Sequence, residues 1–189
     1  MEGSEPVIAE QIYGTKMAMV VVDPQKKFSL DSPDWPEKSS SAVDKINRYT
    51  RLFREFGAPV IFIHFDGESH CNYQGDDGDE WLDGIETDPG DIVVHKTAMN
   101  CFKKTELENV LHGLGADCIL LTGMLSEFCV ISTYFAAGER SMMPYIGKGG
   151  LISYYDKGNE AVELIASVVE EDVVRRFLAG EQPLMAIDW

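Results

Sequence analysis

The chain has 189 residues, of which 44% are hydrophobic, 25% charged and 10% aromatic, as in an ordinary globular protein with one domain and a real core. Asp and Glu number 32 against 16 Lys and Arg, so the formal charge is -16. This balance argues against a nucleic-acid partner or an anionic membrane surface, because both are bound through Lys and Arg. The longest apolar runs, such as 17–22, are too short to span a bilayer.

Two features bear on the compartment. Residues 1–16 contain neither the basic start nor the continuous apolar stretch of a secretory signal. The four cysteines show no C-x-x-C spacing, which favours free thiols in a reducing compartment over disulfides or a zinc ribbon. They are Cys71, Cys101, Cys118 and Cys129. We therefore expect a single cytoplasmic domain over residues 1–189.

The predicted elements alternate between apolar strands and helices. In chain order they are a strand at 17–22, a helix at 42–56, strands at 59–64 and 91–95, a helix from 105 to about 114, a strand at 117–122, a helix at 126–137, a strand at 142–146, a helix at 159–166, a strand at 167–169 and a helix at 171–179. This alternation is typical of a parallel sheet covered on both faces. Ser40 or Ser41 is predicted to cap the first helix, and Ser126 the third.

Residues 65–91, which we call the acidic segment, interrupt this alternation. They include ten Asp and Glu, five Gly and no Lys or Arg. A loop of this length inside a compact domain is usually a lid, a binding loop or a disordered insert. Trp81 and Leu82 within it are suited to pack against the rest of the domain.

Cys129 is the most informative single residue. The stretch 120–130, LLTGMLSEFCV, is predicted to form a buried strand, a turn and the first turn of a helix. Backbone N–H groups and the positive dipole end at a helix start both favour the thiolate, which is the nucleophilic form. Open α/β sheets also bind ligands at such junctions. The sequence therefore predicts a reactive cysteine, although a cysteine that only packs in the core fits the same position.

Two charged residues follow other predicted strands, Asp23 the first and Lys96 the third. A carboxylate beside a thiol can accept its proton, and a nearby ammonium group lowers the thiol pKa below about 8.5. Backbone N–H groups of the turn 124–129 are suited to hold an oxyanion. Together these groups suit acyl transfer through a thioester. The alternatives are an aspartate that starts a turn before Pro24 and a solvated lysine at a strand end.

Three motifs in order carry a resemblance to a known family. They are VVVDPQKKF (20–28), in which an apolar run precedes Asp-x-Gln; HKTAMNCFKKTELENVL (95–111), with Lys, a spacer, Phe and Thr-x-Leu; and LLTGMLSEFCVISTYFAA (120–137), with Gly, a spacer and Cys-Val. With these motifs the chain resembles the isochorismatase-like cysteine hydrolases, which include nicotinamidases and N-carbamoylsarcosine amidases. The resemblance covers about residues 15–180.

The resemblance implies a three-layer α/β/α sandwich with a six-stranded, mainly parallel sheet of Rossmann-like topology. It implies that Asp23 is the general base and later acid, Cys129 the nucleophile and Lys96 the cation that couples them. It also implies a cis peptide bond between Met124 and Leu125, and an oxyanion hole formed by the amides of Leu125 and Cys129. Relatives are commonly homo-oligomers, so we expect a dimer or tetramer.

The chain departs from the nicotinamidase pattern after the second predicted strand. Nicotinamidases bind a divalent metal there through an Asp-x-His pair and a further His, whereas residues 64–70 of this chain read HFDGESH. Asp66, Glu68 and His70 offer ligand atoms, but the Asp-x-His pair is absent. We therefore expect no metal and no cofactor.

The predicted function is metal-independent hydrolysis of a C–N bond in a small amide or carbamoyl compound, because a vinyl-ether hydrolase needs no thiol and Cys129 is present. Two alternatives stay open. One is an isochorismatase-type vinyl-ether hydrolase with Asp23 as general acid, and the other is a non-catalytic binding module on the same fold. The aromatic residues suited to line a small-molecule pocket are Phe28, Trp35, Trp81, Phe128 and Tyr134.

Overall fold

A six-stranded parallel sheet organises the domain. The computed structural model describes residues 11–12, 16–68 and 73–185. Within them the sheet has the strand order β4-β3-β2-β5-β6-β7. Its strands are β2 (Met17–Val22), β3 (Val60–Phe65), β4 (Ile92–Lys96), β5 (Cys118–Met124), β6 (Met143–Ile152) and β7 (Val168–Val169). Two short strands, β1 (Gln11–Ile12) and β8 (Leu184–Met185), pair antiparallel beside it.

Helices cover both faces of the sheet. They are α1 (Trp35–Glu55), α2 (Leu107–Leu114), α3 (Ile131–Gly138), α4 (Gly158–Ile165) and α5 (Glu171–Leu178). One apolar cluster joins the sheet to α1 and α5, and a second joins it to α2, α3 and α4. The central strands β2 and β5 are buried at every residue, which explains their uninterrupted apolar sequences. The predicted three-layer sandwich with a six-stranded sheet is confirmed.

The start of the first helix and the end of β6 differ most from the prediction. The first helix begins at Trp35 rather than at 42, because Trp35 is buried and Pro36 fits a first helical turn, where a missing N–H is tolerated. The predicted caps Ser40 and Ser41 therefore lie inside α1, on its exposed side. Strand β6 continues to Ile152 instead of ending at 146, through a run of glycines that lowers strand propensity. Within the described residues, no helix is both long and apolar enough to cross a membrane.

The acidic segment is bound along the loop that follows β2. Lys26 forms ion pairs with Asp77 at 2.6 Å and Glu80 at 3.0 Å, and Lys27 pairs with Asp79. The backbone N–H of Lys26 also donates to the Glu80 carbonyl at 3.0 Å, and that of Lys27 to the Gly78 carbonyl at 2.8 Å. The described part of the segment therefore packs beside the end of β2. Three of its acidic residues, Asp77, Asp79 and Glu80, pair with the two consecutive lysines.

Gly123 allows β2 and β5 to approach each other next to the ends that carry Asp23 and Cys129. It pairs with Val22 in the sheet and has φ +101°. A Cβ atom at this position would lie 2.2 Å from the Val22 carbonyl oxygen and 2.7 Å from the Val22 nitrogen. Both atoms are backbone, so the clash is not relieved by a side-chain rotation.

Gly123→Ala is therefore expected to destabilise the fold by about 2–4 kcal/mol, from overpacking together with the strain of a positive φ. Urea unfolding measures this change. Gly113→Ala is the matched control: nothing lies within 4 Å of its Cβ position on α2, so it should be neutral or stabilise by up to about 1 kcal/mol. Equal midpoints for the two variants would contradict the close approach of β2 and β5.

Candidate active site

The carboxyl ends of three strands bring the predicted catalytic residues together. Asp23 follows β2, Lys96 ends β4, and Cys129 lies in a π-helical turn (Ser126–Val130) after β5. Lys96 reaches across β3, so that its Nζ lies 2.7 Å from Asp23 Oδ2 and donates to the Met99 carbonyl at 2.8 Å. Both side chains of the ion pair are at most 1% exposed. Their roles in catalysis remain predictions.

Asp23 has an unusual backbone conformation and a buried carboxylate with few partners. Its φ of +46° is in the left-handed region, which is uncommon for a residue other than glycine. No hydrogen bond of ordinary geometry satisfies either carboxylate oxygen among the described residues, although Lys96 is in ion-pair contact with one of them. Backbone strain and unsatisfied buried oxygens cost free energy and cluster at functional sites.

Burial has the largest effect on the pKa values of the Asp23 carboxyl group and the Cys129 thiol. It raises the pKa of Asp23, against the opposing effects of Lys96 and the Cys129 thiol. Burial also raises the pKa of Cys129 to about 12; the Asp23 carboxylate adds to this effect and Lys96 opposes it. Lys96 stays cationic, because the nearby sulfurs and Asp23 raise its pKa more than burial lowers it.

The prediction of a lowered thiol pKa is therefore wrong. The sequence argument placed Cys129 in the first turn of a helix, where N–H groups and the dipole favour the thiolate, whereas the residue is 8% exposed and lies beside a carboxylate. The resting site holds a neutral thiol next to an aspartate that can accept its proton. Cys129 still differs from Cys101 and Cys118, which are 0% exposed.

The turn that carries Cys129 is irregular. The peptide bond between Met124 and Leu125 is cis. The Leu125 carbonyl accepts hydrogen bonds from the amides of Phe128 at 3.0 Å and Val130 at 3.2 Å, the residues on either side of Cys129. The assignment of the Leu125 and Cys129 amides to an oxyanion hole remains a prediction.

Glu127 ties this turn to the end of β6, a contact that sequence reasoning missed. Its carboxylate accepts the Tyr154 N–H at 3.0 Å and lies 2.9 Å from the Ser126 hydroxyl. That hydroxyl, buried and predicted to cap a helix, lies 2.7 Å from Asn159 Oδ1 instead. Glu127 and Ser126 thus fix the segment that holds Cys129 against β6 and α4.

Glu127→Ala is expected to lower kcat/KM by about 10- to 100-fold, because small displacements of a nucleophile are costly. Glu127→Gln should stay within about threefold of the wild type, since its amide can accept from Tyr154 and donate to Ser126. Steady-state kinetics with both variants and with Glu160→Ala, an exposed acid on α4, provide the measurement. Equal losses of kcat/KM in Glu127→Ala and Glu127→Gln would show that the negative charge of Glu127 matters, and not the hydrogen bonds that position the turn.

Aromatic side chains pack against the turn that contains Met124 and Leu125. The Tyr154 hydroxyl donates to the Phe28 carbonyl at 2.9 Å, and the rings of Trp35 and Tyr154 are 5.9 Å apart. Trp35 is buried against Met124 and Leu125, and Phe28 packs against the same cluster. Their contact with a substrate stays a prediction, and Tyr154 was missed because nothing in the sequence separates it from a core residue. Tyr134 is a correction: it is buried in the core, where its hydroxyl bonds Ser167 at 3.0 Å.

Two other predicted pocket residues lie at the periphery. The Trp81 ring packs against the rings of Phe62 and His64, at centroid distances of 5.5 Å and 5.3 Å. Phe128 is 39% exposed. Contact of Trp81 or Phe128 with a substrate stays a prediction.

The candidate metal ligands are grouped differently from the prediction. The structure places Asp66 with His64 and His95, with one possible ligand atom from each within 4.8 Å of the others. Glu68 is exposed and outside this group, and His70 lies outside the described residues. The sequence argument considered only residues that follow one strand, whereas His95 comes from the neighbouring strand β4 and pairs in register with His64.

Comparison with known proteins identifies the family to which this hydrolase domain belongs. The chain belongs to the isochorismatase family, since the isochorismatase domain model matches residues 17–161. It is 27% identical over 134 residues to the uncharacterized isochorismatase family protein YrdC of Bacillus subtilis, which covers 69% of this chain and 71% of that protein. It is 30% identical over 132 residues to streptothricin hydrolase of Streptomyces noursei, covering 68% of this chain but only 48% of that enzyme.

Solved structures show the same fold. N-carbamoylsarcosine amidase from Thermoplasma acidophilum has a TM-score of 0.70 at 24% identity and covers 84% of this chain and 98% of its own. Pyrazinamidase of Pyrococcus horikoshii in complex with zinc has a TM-score of 0.70 at 21% identity and covers 82% and 99%. The chain is thus an isochorismatase-family hydrolase.

Proposed function

We propose that this hydrolase cleaves the C–N bond of a small amide or carbamoyl compound through a thioester on Cys129, without a metal. The observation that carries the proposal is the buried Asp23–Lys96 pair next to a thiol at the carboxyl edge of the sheet. A buried carboxylate whose ionised form is supported by one ammonium group suits a base. The amidase among the structural relatives makes carbamoyl compounds the first class to test.

The steps follow from the groups present. Asp23 takes the thiol proton of Cys129 as sulfur attacks the carbonyl carbon, and the amides of Leu125 and Cys129 hold the oxyanion. Asp23 then gives that proton to the leaving nitrogen as the C–N bond breaks. Water attacks the thioester while Asp23 takes its proton, the C–S bond breaks, and the proton returns to sulfur. Lys96 stays charged throughout and balances the negative charge that moves between Asp23 and the oxyanion.

The raised pKa of Cys129 fits this coupled transfer. A free thiolate is not stored in the resting site, so the proton moves only when an acyl carbon is in place and the developing charge passes to the oxyanion. Such a site protects the thiol from reaction with solvent electrophiles, because the reactive form exists only with substrate bound.

The acid limb of the pH–kcat/KM profile tests the role of Asp23. The base must be ionised, and burial raises its pKa above the ordinary value of 3.8. Activity should therefore be full above this raised pKa and fall as the pH drops through it, with a midpoint above 3.8. A midpoint at or below that value, with the fold intact by circular dichroism, would exclude Asp23 as the base.

A substrate screen tests the function itself. Amides, ureides and carbamates are assayed for ammonia or amine release, with and without a chelator, and a vinyl-ether substrate is run in parallel. We expect C–N cleavage that is unaffected by chelation. Vinyl-ether cleavage alone would support the isochorismatase-type reaction with Asp23 as general acid. The absence of turnover with every compound of the panel, for a protein whose circular dichroism shows an intact fold, would support a binding module.

A further inference from the structure

Thr133, in the first turn of α3, is bonded to two separate segments of the active site. Its hydroxyl group donates to the Cys129 carbonyl at 2.7 Å and accepts the backbone N–H of Cys101 at 3.1 Å. The Thr133 side chain is fully buried, so water does not replace either partner. A helical threonine commonly bonds the carbonyl four residues earlier, whereas Cys101 lies 32 residues away in sequence. The second bond therefore ties α3 to another part of the chain.

Cys101 belongs to the loop that holds the Lys96 ammonium group. Two residues before Cys101, the Met99 carbonyl accepts a hydrogen bond from Lys96 Nζ at 2.8 Å. The Cys101 sulfur is also in hydrogen-bond contact with the ammonium group. The loop 97–101 therefore holds this cation together with the Asp23 carboxylate.

We propose that Thr133 is a positioning residue that holds the turn carrying Cys129 in place against the loop that carries the partners of Lys96. Because one buried hydroxyl group bonds both segments, neither segment can shift without lengthening one of the two bonds. The inference rests on the proposed function, in which Cys129 attacks while Lys96 balances the developing charge. A displacement of about 1 Å between such groups can lower the rate about 100-fold.

Thr133→Val tests this inference, because it removes the hydroxyl group and nearly keeps the shape of the side chain. We expect kcat for the best substrate to fall about 10- to 100-fold, with KM within about twofold of the wild type, since Thr133 is argued to position the reacting groups and not to bind substrate. Thr133→Ser restores the hydroxyl group and should return kcat to within about threefold of the wild type. Steady-state kinetics on protein whose fold is verified by circular dichroism provide the measurement.

Thr50→Val is the matched control. Thr50 is also fully buried, but its hydroxyl group donates to the Asn47 carbonyl at 3.0 Å within α1. The variant should lower the urea midpoint, as Thr133→Val does, and leave kcat within about twofold of the wild type. Wild-type kcat in Thr133→Val would overturn the proposal. Equal losses of kcat in Thr133→Val and in either Thr133→Ser or Thr50→Val would do the same.

Amide hydrogen exchange in the wild type, followed by NMR, keeps the test valid if Thr133→Val does not fold. The Cys101 N–H should exchange at least about 100-fold more slowly than that of Lys104, an exposed residue three positions later. Equal exchange rates would overturn the proposal. Cys129→Ala separates the two ideas: activity retained in that variant sinks the proposed function, whereas an inactive Cys129→Ala beside a fully active Thr133→Val sinks only the present inference.

Discussion

Cys129→Ala should lower the rate of amide hydrolysis by about four orders of magnitude or more, because no other group in the proposed sequence can form the acyl intermediate. The substitution removes one sulfur atom and leaves a small cavity, so the free energy of unfolding should fall by only about 1 kcal/mol. Turnover of the best substrate and urea unfolding, on the same preparations, separate loss of chemistry from loss of fold.

Cys118→Ala is the matched control. Cys118 is equally a buried thiol, but it begins β5, at the opposite end of the strand from the π-helical turn. Its activity should stay close to that of the wild type. If Cys129→Ala retained full activity, the thioester would be excluded and the general-acid role of Asp23 in vinyl-ether cleavage would become the better account.

Lys96→Ala should both inactivate and destabilise the protein. The ion pair with Asp23 is buried, and removal of one partner from such a pair costs about 3–5 kcal/mol, since the other charge is left without compensation. Activity should fall by at least about 100-fold, because Asp23 would then bind a proton more tightly and no longer serve as a base at neutral pH. Urea unfolding and kcat/KM report the two effects.

Two further variants test whether the unpaired charge of Asp23 causes the loss of stability in Lys96→Ala. Lys38→Ala removes a lysine whose partner Asp156 is largely exposed, so its stability should change by less than about 1 kcal/mol. Asp23→Ala combined with Lys96→Ala should be more stable than Lys96→Ala alone, because no unpaired charge remains. A double variant that is less stable than either single variant would show that packing, and not charge, explains the loss.

The fold and the position of the site could be predicted because both follow from local patterns. Fully apolar strands that alternate with helices indicate a covered parallel sheet, and the residues after such strands meet at one edge. Asp23, Lys96 and Cys129 follow three strands in this way, so proximity needed no knowledge of side-chain contacts. The start of α1 was misplaced because the burial of Trp35, which is a tertiary feature, decides it.

The electrostatics of the site could not be predicted from the chain alone. The pKa of Cys129 depends on how deeply the thiol lies and on which charge it faces, and the expectation based on a helix start gave the wrong direction. The grouping of His64 with His95 depends on the register between β3 and β4.

The docking of the acidic segment limits how this hydrolase can be re-engineered. Lys26 and Lys27 are only 17% and 12% exposed, and their carboxylate partners come from residues about fifty positions away in sequence. A loop transplanted from another family member would leave two sheltered ammonium groups without counter-charges, next to the aspartate on which chemistry would depend. Any graft at this border should therefore exchange the lysine pair and the acidic stretch as one unit.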